Sequence, residues 1–191
     1  MDNLSDTDLK KIVDEVVTSL MREMPSRITD AASQAKVLPG APTGSTKIVA
    51  IGADHGGFTL KETLKSYLED KDYIVIDCGT NSQDSVDYPD FAQKVAEQVA
   101  SGTAWRGIMI DGAGIGSCMA ANKVPGVRAA MCYDHATASN SREHNNANLL
   151  TLGAGLIGLN LAKQITSTFL ETEFGGDRHA RRVDKIMEIE K

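Results

Sequence analysis

The stretch Ile108–Lys123, IMIDGAGIGSCMAANK, contains the pattern that decides the fold. An apolar run ends at an acidic residue, Asp111, passes through a turn with glycines at 112, 114 and 116, and continues into a segment of helical composition. A strand, a glycine turn and a helix in this order are typical of parallel α/β proteins, and such a turn offers backbone N–H groups to an anion. The stretch therefore predicts an α/β fold with an anion site at this turn.

The same alternation continues on both sides of this stretch. The predicted strands are KIVAIGA (47–53), YIVIDCG (73–79), GIMIDG (107–112), VRAAMC (127–132) and NLLTLG (148–153). The predicted helices cover residues 58–70, 89–101, 115–123, 134–144, 158–173 and 178–190. Helices between successive strands imply right-handed connections and a sheet that is covered on both faces. The sequence thus predicts a Rossmann-like three-layer sandwich with a five-stranded parallel sheet.

The first 46 residues differ from the rest of the chain. Over residues 1–24, apolar side chains recur at helical spacing and charged residues take the other face, which predicts a separate amphipathic helix. Residues 25–46 are rich in Pro, Gly, Ser, Thr and Ala without a period, as expected of a flexible linker. We place the domain boundary near Thr46, so that the main domain covers residues 47–191.

Composition excludes several classes of function. The 191 residues include 26 acidic and 20 basic ones, and the net charge of −6 offers no general basic field to nucleic acid or anionic lipid. The three cysteines have no CxxC spacing, so neither a disulfide framework nor a zinc site is predicted. No apolar run has membrane-spanning length, and the acidic start MDNLSDTD is unlike a secretory signal. We expect a cytosolic protein that binds no metal, nucleic acid or membrane.

Polar residues that follow the predicted strands are candidate site residues, because ligands of open parallel sheets bind beyond the carboxyl ends of the strands. Asp54 and His55 follow the first strand. They either bind hydroxyls and a phosphate or move protons, or else Asp54 caps the helix and His55 is a surface residue. The G-x-G-x-G turn after the third strand is not the dinucleotide pattern and no P-loop lysine follows it, so no nucleotide cofactor is expected.

Basic residues near the carboxyl terminus form a second candidate group. His144 stands where a helix should end, and Asn145 and Asn146 tolerate a left-handed backbone there. The position at a helix carboxyl end would by itself account for the histidine. The motif RHARR at 178–182 provides guanidinium groups that match phosphate oxygens, although it also fits a solvated helix start.

Together these elements resemble the sugar-phosphate isomerase family of type B ribose-5-phosphate isomerases and bacterial galactose-6-phosphate isomerases. The resemblance covers about residues 47–190. It rests on GADHGG, LKETLKSYL, DCGT, DYPDFA, the glycine loop with AANK, GVRAA, SREHNNAN, TLGAGLIG and RHARRV. It implies a cofactor-free aldose–ketose isomerase that interconverts ribose 5-phosphate and ribulose 5-phosphate through a cis-enediolate.

The resemblance also implies roles for individual residues. His144 would assist the opening of the sugar ring, Asp54 would hold sugar hydroxyls, and loop amides would stabilise the enediolate. The residues implied to meet the phosphate or the sugar are His55, Tyr88, Gly112, Ala113, Gly114, Gly116, Ser117, Asn145, Arg178 and Arg182. Family members are dimers or tetramers with sites shared between two subunits, so a homodimer or tetramer is expected and a monomer should be inactive.

Two departures from the family pattern leave the catalytic base open. The family has its base either as a cysteine at the position of Asp111 or as a glutamate at that of Ser117, and it commonly has an arginine where Gly155 stands. Three interpretations follow: Asp111 is itself the base, or it anchors the glycine loop while Cys118 or a partner chain supplies the chemistry, or the site is altered for another sugar phosphate. The first is preferred, since the reaction needs a base at this position. Cys118 is expected to face the core.

Alternative functions and partners also follow from these features. An isomerase of a six-carbon or deoxy sugar phosphate is favoured by the missing arginine at 155, and a non-catalytic sugar-phosphate-binding partner subunit by the missing base. Residues 1–24 resemble the encapsulation peptides of bacterial microcompartments, which implies helix-in-groove docking to a shell protein. Packing of this helix on its own oligomer is the alternative.

Overall fold

Strands and helices alternate through residues 47–190, the part of the chain that the structure, a computed structural model, describes. The strands are β1 (Ile48–Ala53), β2 (Ile74–Asp77), β3 (Arg106–Asp111), β4 (Ala129–Met131) and β5 (Leu149–Gly153). The helices are α1 (Phe58–Glu69), α2 (Tyr88–Ala100), α3 (Ile115–Ala121), α4 (His135–Glu143), α5 (Leu159–Glu171) and α6 (Asp177–Met187), with a final 3-10 turn at Glu188–Glu190. The predicted helix 1–24, its docking to a shell protein and the linker 25–46 lie outside the described residues and stay predictions.

The predicted five-stranded parallel sheet is confirmed, with the strand order β2-β1-β3-β5-β4. The chain leaves β1 toward β2 on one side and returns to β3 on the other, so the order reverses between β1 and β3. Ala53 pairs with Ile110 and Asp111 with Gly153, which brings the carboxyl ends of β1, β3 and β5 side by side. A crevice at such a reversal is where ligands bind in open α/β sheets.

Apolar side chains bury the sheet on both faces. One face packs against α1, α4 and α5 through residues that include Val49, Ile51, Ile108, Ile110, Leu150, Leu152, Leu64, Ala138, Ile165 and Phe169. The other packs against α2 and α3 through residues that include Ala50, Met109, Leu149, Val95, Val99 and Ala121. Strands covered on both faces are continuously apolar, which is why the runs IMI and LLTL predicted buried strands correctly. Within residues 47–190, no helix combines the length and the hydropathy needed to cross a membrane.

A buried ion pair holds the segment that follows β2. The Nζ of Lys61, which is fully buried, lies 2.7 and 2.8 Å from the two carboxylate oxygens of Asp77. The Gly79 N–H donates to Oδ1 of Asp77 at 2.9 Å, and Lys65 Nζ donates to Oδ2 at 3.0 Å. Burial by itself would raise the pKa of Asp77, but the hydrogen bonds from Lys61, Gly79 and Lys65 lower it below its ordinary value.

We expect Asp77→Asn to lower the free energy of unfolding at pH 7 by about 2 kcal/mol, because the buried Lys61 then keeps only the half-exposed Glu62 carboxylate, 2.7 Å away, as an acidic partner among residues 47–190. The folded-state pKa of Asp77 is lowered, so its stabilising effect is fully present above the unfolded value near 3.9 and is lost as the pH falls through the folded value. The difference from wild type should therefore shrink below about pH 4. Urea unfolding across this pH range measures it, with the exposed Asp184→Asn as control. A difference in unfolding free energy between Asp77→Asn and wild type that does not change with pH would contradict a lowered pKa of Asp77 in the folded protein.

Candidate active site

Residues that follow β1 and β3 meet at the carboxyl edge of the sheet. We call Asp54, His55, Tyr88, Asp111 and the loop 112–117 the carboxyl-edge cluster. The Asp54 N–H donates to the carbonyl of Ile110 at 3.1 Å, which ties the first loop to β3. A Cβ placed on Gly56 would lie 3.3 Å from Oδ1 of Asp54 and 3.6 Å from the Gly112 nitrogen. The structure thus brings the Asp54 carboxylate and the beginning of the glycine loop together.

Tyr88, the first residue of α2, lies over the start of α3. A Cβ on Gly116 would lie 2.5 Å from Cζ and 2.7 Å from the hydroxyl oxygen of Tyr88. Only glycine at this position allows the ring to come so close. The tyrosine hydroxyl is therefore held at the amino terminus of α3, where backbone N–H groups have no partner within the helix.

His55 has one ring nitrogen engaged and one available. Its Nδ1 accepts a hydrogen bond from the Val86 N–H at 3.2 Å. A neutral imidazole that accepts at Nδ1 carries its proton on Nε2. The side chain is exposed, so it presents an N–H donor that suits an anionic group.

The carboxylate of Asp111 is buried and fully engaged by the loop that follows it. Its Oδ1 accepts hydrogen bonds from the N–H groups of Ala113, at 2.8 Å, and Gly114. Its Oδ2 accepts from the N–H of Ser117, at 3.1 Å, and from the Ser117 hydroxyl. A carboxylate offers about four lone-pair positions, and these four bonds occupy them.

This geometry favours the second interpretation of Asp111, in which the residue anchors the glycine loop. It also removes the N–H groups of Ala113 and Gly114 from the predicted oxyanion-binding set, because both are directed at Asp111. Among residues 47–190, the N–H of Gly112 donates to no other group. Ile115 and Gly116 open α3, where N–H groups lack helical partners. The loop therefore offers donors to an anion at 112, 115 and 116.

Cys118 is turned away from this cluster. Its Sγ lies 3.4 Å from the carbonyl oxygen of Ala129 in β4, and the residue is half-buried. This placement agrees with the prediction that Cys118 faces the core. Burial raises the pKa of the Cys118 thiol, so the thiol is protonated at neutral pH. Within residues 47–190, no three His, Cys, Asp or Glu side chains come together in a way that could hold a metal ion.

A second group of predicted residues meets at the amino edge of the sheet. We call His144, Asn145, Arg178, His179 and Arg182 the amino-edge cluster. The ring of His144 stacks on that of His179, with centroids 4.2 Å apart and planes 5° from parallel. The Gly175 N–H donates to the carbonyl of Glu143 at 2.9 Å, which holds the start of α6 beside the end of α4.

His179 is not one of the predicted site residues, although it stands between the two predicted arginines. Desolvation and the neighbouring His144, Arg178 and Arg182 lower the pKa of His179 below its ordinary value. The ring is therefore neutral at pH 7, and its Nε2 lies 3.4 Å from Nε of Arg178. A neutral stacked ring positions His144 and Arg178 without adding a further positive charge.

Arg142 is a further residue that the sequence analysis missed. Its Nη1 donates to Oδ1 of Asn146 at 2.9 Å and to the carbonyl of Ala147, and its Nε donates to the carbonyl of Thr172 at 3.3 Å. Burial lowers the pKa of Arg142 to about 10, which still leaves it charged at pH 7. The side chain thus joins the turn that carries His144 to the segment that leads into α6. A basic residue in the last turn of a predicted helix was the available signal.

The two clusters lie at opposite edges of one subunit. Asp111 pairs with Gly153 at the carboxyl end of β5, whereas His144 ends α4 just before Leu149, where β5 begins. Four steps of about 3.3 Å along β5 separate these ends by roughly 13 Å. A single subunit therefore does not bring the two clusters together in one site.

Comparison with known proteins places both clusters inside one family match. The family model described as Ribose/Galactose Isomerase matches residues 49–186. The structure of Clostridium thermocellum ribose-5-phosphate isomerase B is 55% identical, with a TM-score of 0.74 and coverage of 75% of this chain and 97% of that one. Escherichia coli ribose-5-phosphate isomerase B is 43% identical, covering 75% of this chain and 97% of its own. The D-erythrulose-4-phosphate isomerase of Pectobacterium atrosepticum is 42% identical, covering 72% and 91%.

Proposed function

Because the chain belongs to the ribose/galactose isomerase family and is a sugar-phosphate isomerase, we propose that it interconverts ribose 5-phosphate and ribulose 5-phosphate. One observation carries this proposal. A buried carboxylate, Asp54, lies near the Gly112 N–H, which donates to no group among residues 47–190, at the carboxyl edge of the sheet. Proton transfer next to a carbonyl requires this combination of a base and an oxyanion donor. The reaction then passes through a cis-enediolate and needs no cofactor.

The two clusters have different roles in the proposed reaction. His144 moves a proton during the opening of the sugar ring, with Asn145 beside it. The N–H groups at 112, 115 and 116 stabilise the enediolate oxygen, and Asp111 holds the loop that carries them. The groups proposed to meet the phosphate are His55, Tyr88, Arg178 and Arg182.

We further propose that the site is completed by a second copy of this chain, which brings its amino-edge cluster to the carboxyl-edge cluster of the first. The separation of the clusters within one subunit supports this arrangement. Exposed apolar side chains lie on elements next to both: Met119, 64% exposed, on α3, and Ile189, 83% exposed, just after α6. A two-fold dimer covers both patches and creates two equivalent sites.

Another sugar phosphate is the second candidate substrate, and Gly155 favours it. Gly155 follows β5 next to the glycine loop, and its N–H donates to the carbonyl of Gly112 at 3.0 Å. At this position the chain offers no side chain to contact the sugar. The Pectobacterium relative is an isomerase of D-erythrulose 4-phosphate, so the family extends beyond pentose phosphates.

A substrate panel with the purified full-length protein tests the assignment. We expect kcat/KM for ribose 5-phosphate to exceed that for D-erythrulose 4-phosphate and galactose 6-phosphate by at least about tenfold. Conversion is followed by direct detection of the ketose or aldose product. A higher value for one of the other sugars would favour the second candidate. No conversion of any of them by folded protein would favour a non-catalytic partner subunit.

A further inference from the structure

On the basis of the proposed isomerisation, we infer that Asp54 is the general base that transfers the proton between C2 and C1. This role goes beyond the binding of sugar hydroxyls and replaces Asp111 as the expected base. It follows from the hydrogen bonds that occupy the other candidate groups at the carboxyl edge.

The other groups at this edge are unsuited to accept a proton. The four lone-pair positions of the Asp111 carboxylate are used by the loop. Ser117 donates its hydroxyl proton to Asp111, and Cys118 is protonated and directed at β4. His55 accepts at Nδ1 and therefore carries its proton on the nitrogen that remains available.

Asp54 has one oxygen fixed in position and one available. Its Oδ1 accepts a hydrogen bond from the Gly57 N–H at 2.9 Å, at the turn into α1. None of the residues between 47 and 190 donates a hydrogen bond to its Oδ2. The residue as a whole is only 7% exposed. The carboxylate is thus held by one oxygen, while none of the described residues engages the other.

A group near this carboxylate can stabilise the negative charge that develops on the substrate oxygen. The backbone of Asp54 is fixed to β3 by its hydrogen bond to the Ile110 carbonyl. The Gly112 nitrogen lies 3.6 Å, and Oδ1 of Asp54 3.3 Å, from the point where a Gly56 Cβ would lie, so the two groups are near each other. A base and an oxyanion donor that follow directly after two paired strands can act on adjacent carbon and oxygen atoms of one substrate.

The step balances without a co-reactant. Asp54 Oδ2 accepts the proton from C2 of the open-chain aldose, the C–H electron pair forms the C1–C2 double bond, and the carbonyl electrons move to O1. The Gly112 N–H stabilises the oxyanion at O1. The O2 hydroxyl proton passes to O1, the electron pair on O2 forms the new carbonyl, and the C1–C2 π electrons take the proton back from Asp54 at C1. The carboxylate is regenerated and the ketose is released.

Asp54→Asn tests this role through the split between kcat and binding. Using the sugar phosphate that wild type converts, we expect kcat to fall by at least about 10²-fold. The dissociation constant of ribitol 5-phosphate, which cannot isomerise, should stay close to the wild-type value. Asp70→Asn is the matched comparison: it makes the same change at an exposed carboxylate just after α1, outside both clusters, and should retain wild-type kcat.

A second variant covers the case in which Asp54→Asn does not fold. Formate should restore activity to Asp54→Ala in a concentration-dependent way, because a small carboxylate can replace the missing base. Near-normal kcat in Asp54→Asn with weakened ribitol 5-phosphate binding would overturn the assignment in favour of a hydroxyl-binding role. Loss of kcat in a stably folded Asp111→Asn variant, with Asp54→Asn active, would restore Asp111 as the base. Wild type that isomerises no sugar phosphate would overturn the proposed function itself and this role with it.

Discussion

An equal mixture of Asp54→Asn and His144→Ala subunits should recover about a quarter of wild-type activity, although each variant by itself is nearly inactive. The two residues lie at opposite edges of one subunit, so the site that we propose for the dimer takes one from each copy. In a mixed dimer, one site carries both changes and the other carries none. Half of the dimers in a random mixture are mixed, and each has one intact site of two.

Refolding or co-expression of the differently tagged variants, followed by activity measurement, provides the test. Purified mixed dimers should reach about half of wild-type activity. The matched control is a mixture of Asp54→Asn and His55→Ala, two changes within the carboxyl-edge cluster. In a mixed dimer of these variants, each of the two sites carries one of the changes, so no recovery of activity is expected. Mixed dimers that form but stay inactive in the first pair would show that the site does not combine the two clusters.

Gly153→Ala should lower both stability and activity strongly. A Cβ on Gly153 would lie 2.6 Å from the carbonyl carbon and oxygen of Ala113, so a methyl group here must displace the glycine loop. The loop is also held to the end of β5 by the Ala154 N–H, which donates to the carbonyl of Asp111 at 2.8 Å. We expect a loss of about 2–3 kcal/mol in the free energy of unfolding. A fall in kcat/KM of at least about 10²-fold should accompany it, since displaced donors no longer meet the oxyanion.

Gly158→Ala is the control for this prediction. Gly158 lies in the same connection between β5 and α5, and a Cβ there would meet no atom within 4 Å. Gly158 is the N-cap residue of α5, so the free energy of unfolding of this variant should fall by no more than about 1 kcal/mol, with unchanged kcat/KM. Urea unfolding and steady-state kinetics on the two variants measure both quantities. Equal losses of unfolding free energy and of kcat/KM in the two variants would show that the close approach of β5 to the loop contributes to neither stability nor activity.

Local patterns in the sequence are sufficient to predict the fold. Runs such as IMI and LLTL are apolar at consecutive positions because both faces of the sheet are covered, and the helices between them carry their own periodicity. The glycine turn at 112–116 is also recognisable, because a strand that leads directly into a helix needs such a turn. The order of strands and polar residues along the chain therefore suffices to place Asp54 and Asp111 at the carboxyl edge of the sheet.

The sequence by itself thus determined the α/β fold, the strands and the residue types that reach each edge. Only the tertiary structure decided what those residues do: that Asp111 is engaged by its own loop, that one oxygen of Asp54 is available, and that His144 stacks on His179 at the other edge. The physical reason is that secondary structure depends on side-chain patterns over a few residues. The use of a lone pair, by contrast, depends on which groups the fold brings within about 3 Å of it, and a sequence does not display that distance.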